Sequence, residues 1–87
     1  MSNTAERTLE ELSLIAADEA RDALVNLGIK DSTCSSKVDV VARVKFKLPN
    51  VKSYFANSKR IIDKEVALKT KYPGVKFDID IEFTHKD

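Results

Sequence analysis

At 87 residues, 43% hydrophobic and 33% charged, the chain has the size of one small domain and is too apolar for a disordered segment. Its net charge of +1, single cysteine and two glycines exclude an internal disulfide framework and a glycine-rich phosphate loop. No run of about 18 apolar residues is present, so no membrane span is expected. The opening residues lack the basic flank and apolar segment of a signal peptide, and the expected location is cytoplasmic.

The first expected element is a helix from Ala5 or Leu9 to Leu27. Thr8 and Glu11 have capping-box spacing, and Thr4 offers an earlier cap. Leu9, Leu12, Ile15, Ala16, Ala20 and Leu24 recur on one face. The alanines on that face allow close approach of another layer. Leu14 and Val25 fall off the main stripe and suit a partner chain. Gly28 followed by Ile29 reads as a helix stop. Lys30 to Lys37 is rich in Ser, Thr and Asp, which satisfy backbone groups locally, and reads as a loop. Cys34 within it is expected to be exposed and inert.

Val38 to Leu48 alternates in hydrophobicity and predicts one strand, because successive side chains point to opposite faces. Val40, Val44, Phe46 and Leu48 take one side; Arg43, Lys45 and Lys47 take the other. Val51 to Tyr72 predicts a long helix, with Asn50 as N-cap and Pro73 after its end. Val51, Tyr54, Phe55, Ile61, Ile62, Val66, Leu68 and Tyr72 recur in it at helical spacing, and Tyr54 and Phe55 read as core. At 1.5 Å per residue it spans about 32 Å, against about 36 Å for the strand before it. Val75 to Phe83 alternates again, with Phe77, Ile79 and Ile81 on one side and Asp78, Asp80 and Glu82 on the other. The opposite charges of the two wet faces predict that these strands are neighbours.

The charge is unevenly spread. Residues 1–36 hold three basic groups against seven acidic, residues 37–71 ten against three, and residues 72–87 two against four. A basic middle between acidic ends can pair within the fold or attract an acidic partner, so a nucleic-acid-binding regulator using segment 37–71 is one reading. A divalent-cation sensor using Asp78, Asp80 and Glu82 is another. On a straight strand these carboxylates stand about 6.5–7 Å apart, too wide for one ion without a bend. His85 sits beyond the strand and has no catalytic partner, so no enzymatic activity, cofactor or resident metal is expected.

The resulting expectation is an α+β fold in the order α-β-α-β, with two helices on one face of a small sheet. Exposed sheet edges invite pairing, and a homo-oligomer is expected. The leading functional reading is a small non-enzymatic protein-binding or assembly module with an unknown protein partner. Its candidate interaction surface is Arg43, Lys45, Lys47, Asp78, Asp80 and Glu82.

Overall fold

The computed structural model describes residues 8–39 and 41–84. The order is α1 (Leu9–Val25), β1 (Thr33–Val38), β2 (Ala42–Leu48), α2 (Val51–Lys71) and β3 (Phe77–Phe83). The fold is α+β, as expected, but its order is α-β-β-α-β and its sheet has three strands. Thr4, Ala5, Val40 and His85, named above, lie outside the described residues.

The third strand comes from two corrections. The Ser/Thr segment expected as a loop contains β1, which pairs antiparallel with β2, Cys34 opposite Phe46 and Ser36 opposite Val44. The expected long strand from Val38 is broken between Val38 and Ala42, which pair with each other across two antiparallel strands. The break was invisible to periodicity because its length preserves parity: Val38 and Ala42 both face inward. β1 was invisible because its inner positions are Cys34, Ser36 and Val38, of which only Val38 is a strong strand former. Small side chains fit here because α1 lies across β1 and β2, with Ala16, Ala17 and Ala20 fully buried.

β2 is the central strand, and β3 pairs with it in parallel, Val44 opposite Ile79 and Phe46 opposite Ile81. The inward residues Ala42, Val44, Phe46 and Leu48 are at most 1% exposed. Leu24 from α1 and Ile61 and Leu68 from α2 cluster with Val44, Phe46 and Leu48, and Ala16 and Ala17 of α1 with Ala42. Both helices thus lie on one face of the sheet.

Local signals place the helix ends. Thr8 accepts a hydrogen bond from the Glu11 amide at 3.1 Å, and the Glu11 carboxylate accepts one from the Thr8 amide at 3.0 Å. These satisfy otherwise unpaired N–H groups. The Ser53 amide donates to Asn50 Oδ1 at 2.9 Å. Gly28 has φ +72, a conformation that strains any side chain with a Cβ. α2 is joined at two points to α1 and the turn that follows it. Arg60 donates to the Leu27 carbonyl at 2.6 Å. Glu19 accepts from Lys71 Nζ at 2.9 Å and from Tyr72 Oη at 2.6 Å. The Tyr72 hydroxyl and then the Lys71 ammonium hold the Glu19 carboxyl below its ordinary value.

Two outcomes follow from this packing. Phe46→Ala removes a fully buried ring under both helices and should cost about 3–5 kcal/mol in urea unfolding. Glu19 ionises more easily folded than unfolded, so its contribution is complete above the ordinary carboxylate value of 4.5 and fades as pH falls through the lower folded value. The melting temperature of Glu19→Gln should therefore lie below that of the native chain at pH 7, and the gap should close in acid.

Candidate interaction surface

The six charged residues singled out in the sequence meet on the outer face of the sheet, away from the helices. Alternation puts Arg43, Lys45 and Lys47 outward on β2, and the parallel register sets them opposite Asp78, Asp80 and Glu82. Arg43 Nη1 lies 2.8 Å from Asp78 Oδ2, and Lys45 Nζ lies 3.4 Å from Glu82 Oε2. Lys47 and Asp80 make no ion pair with a described residue. These pairs are solvent-exposed, and such pairs contribute roughly 0–1 kcal/mol. A shallow groove of about 320 Å³ crosses this face between Ser35, Lys37, Arg43 and Asp80. Among the described residues no group of three His, Cys, Asp or Glu is placed to hold a metal ion.

The basic segment 37–71 does not form one surface. Arg43 and Lys45 are engaged by β3 carboxylates. Lys71 is held by Glu19, and Arg60 by the Leu27 carbonyl just past the end of α1. No helix among the described residues is long and apolar enough to cross a membrane.

Sequence reasoning missed a second surface. The apolar stripe of α2 splits in two, and Phe55, read from the sequence as core, falls on the exposed part. Ile61 and Leu68 are buried, and Tyr54 and Tyr72 are half-buried. Val51, Phe55, Ile62 and Val66 are exposed, Phe55 to 69% and Val66 to 57%. Helical geometry of about 100° per residue explains the split. Arg60 and Lys71, which reach to α1, lie on one flank of α2, and the exposed apolar residues lie on the opposite one. With α1 over β1 and β2, that opposite flank faces the β3 side of the sheet. The ring of Tyr54 links them, standing edge-on to Phe55 at 5.7 Å and to Phe83 at 6.5 Å.

Beneath this flank, β3 is an edge strand, paired on its outer side with no described residue. The Ala42 amide donates to the Lys76 carbonyl at 2.8 Å, and the Thr84 amide to the Leu48 carbonyl at 2.9 Å. Even-numbered residues of β3 therefore turn their backbone groups toward β2. By alternation, Phe77, Ile79, Ile81 and Phe83 turn N–H and C=O toward the free edge. Their side chains are only partly covered, whereas their β2 neighbours are fully buried. The signal was available in the sequence: the apolar arc of α2 is wider than the two strands expected beneath it.

The opposite edge is managed differently. β1 directs Thr33, Ser35 and Lys37 outward, and polar or lysine-bearing edges resist pairing. Ser36 Oγ donates to Asp18 of α1 at 3.3 Å. Leu14 and Val25, the off-stripe residues of α1, are exposed as expected of them. Cys34 corrects its expectation: it is half-buried on the inner face of β1, and burial pushes its thiol up to about 11.

No protein-family model, curated protein or solved structure matches the chain.

The Cys34 thiol should react slowly with a disulfide reagent at pH 8, because the thiolate is the nucleophile. Unfolding in urea should raise the rate at least tenfold, which a colorimetric thiol assay measures.

Proposed function

We propose that this chain is a small non-enzymatic protein-binding or assembly module, whose working surface is the free edge of β3 together with the exposed flank of α2. One observation carries the reading: an unpaired strand edge lies beside Val51, Phe55, Ile62 and Val66, exposed along one side of a single helix. Scattered apolar residues on a surface are ordinary, but a contiguous row beside unpaired backbone marks an interaction site. Fully burying one such side chain contributes about 1.5–3 kcal/mol. A strand laid along β3 would gain backbone hydrogen bonds from the edge and apolar contact from the helix, the two sources of affinity in β-strand addition. The dispersal of the basic groups gives no comparable support to nucleic-acid binding.

Panning a random peptide display library against the purified chain tests the reading, with light scattering up to millimolar concentration to detect self-association. Peptides that compete for one site should emerge. Their affinity should fall at least tenfold for Phe55→Glu and Ile62→Glu. Both variants should keep their unfolding free energy within about 0.5 kcal/mol, since the residues are exposed. No enriched peptide and a monomer at every concentration would overturn the reading, as would peptides that bind both variants undiminished.

A further inference from the structure

Resting on that reading, the geometry assigns a class of partner: we infer that the β3 edge accepts an extended segment alternating basic and apolar residues, which becomes a fourth strand. A strand hydrogen-bonded to the edge must share the pleat of β3, so its residues divide between the same two faces. On the inner face its side chains meet Ile79, Ile81 and Phe83 from the side and Phe55, Ile62 and Val66 from above. These positions require apolar residues. On the outer face its neighbours are Asp78, Asp80 and Glu82. Arg43 and Lys45 meet this row only from the β2 side, and Asp80 has no ion pair with a described residue. Lysine or arginine at the outer positions completes a row already begun by β2.

The same charges argue against a second copy of this chain joined β3 to β3. With both helical layers on one side of a continuous sheet, outward residues must oppose outward residues. Every register that pairs three or more residues of Phe77–Phe83 with their copies then sets at least one carboxylate against another, which is destabilising. A second copy could instead offer β1, but its outward residues are Thr33, Ser35 and Lys37, with one positive charge. A head-to-tail joint of that kind also propagates into filaments unless it closes into a ring. A distinct chain with basic and apolar residues in alternation matches the site better than either.

Four labelled peptides of equal length test this by fluorescence anisotropy at 50 mM and 500 mM salt: valine alternating with lysine, with threonine, and with glutamate, and a block peptide with the valine and lysine residues segregated. The alternating lysine peptide should bind at least tenfold more tightly than the other three at low salt. It should lose most of that advantage at high salt. Asp80→Asn and Asp80→Lys should weaken it progressively without affecting the threonine peptide. On binding, the amides of Phe77, Ile79, Ile81 and Phe83 should gain protection from hydrogen exchange. Equal binding of the lysine and threonine peptides would overturn the charge assignment, and equal binding of the block peptide would overturn the strand assignment. In both cases, peptides selected by display would leave the protein-binding reading standing. Failure of all four peptides overturns the inference, and only an empty display selection with no self-association removes the reading beneath it.

Discussion

The inner row of β2 is the constraint on which the rest of the structure depends. Among the described residues, Ala42, Val44, Phe46 and Leu48 are the only strand residues withdrawn from water along a whole strand face. Both helices must reach them to have a core at all, because an 87-residue chain has little other apolar area to bury. That requirement sets the helices side by side over three strands. α1 approaches closely through its alanines and takes the β1 side. α2 is left the β3 side, held to α1 by Glu19, Lys71 and Arg60. Its larger side chains cannot all turn inward in the width that remains.

Length adds to this mismatch. The 21 residues of α2 span about 32 Å, while the 7 residues of β2 span about 23 Å. The helix overruns the sheet lengthwise as well as sideways. A strand beside β3 would widen the sheet under the helix and bring Phe55, Ile62 and Val66 over protein in place of water. The excess apolar surface is thus located by the packing of the core and is not a random property of the exterior.

How much of this was legible depends on which residue types carried the information. Thr8, Glu11 and Asn50 announced the helix ends because capping chemistry is local and acts within one turn. The adjacency of β2 and β3 was legible from Arg43, Lys45, Asp78 and Glu82, because opposite charges report a neighbour whatever the topology. β1 was hidden because Cys34 and Ser36 owe their place to the small side chains of α1 above them, a tertiary effect that overrides local preference. The break between Val38 and Ala42 was hidden because these flanking residues keep the same parity and the sequence between them contains neither glycine nor proline. Phe55 was misjudged for a related reason. Helical spacing states which residues share a face, but the width of the opposing sheet decides how much of that face is covered.

The two faces of β3 express one design problem solved twice in different chemistry. An edge strand that is apolar on one side invites indiscriminate pairing, and a charged outer side limits which strands can pair with it. Asp78, Asp80 and Glu82 do this for copies of the same chain, since identical edges repel. The partial neutralisation by Arg43 and Lys45 fixes the register of β3 on β2 without cancelling the acidic row toward the open side. Affinity at such an edge comes from the apolar helix flank and the backbone, while the carboxylates discriminate among partners. The selectivity of the edge therefore lies in residues that contribute little to the stability of the fold.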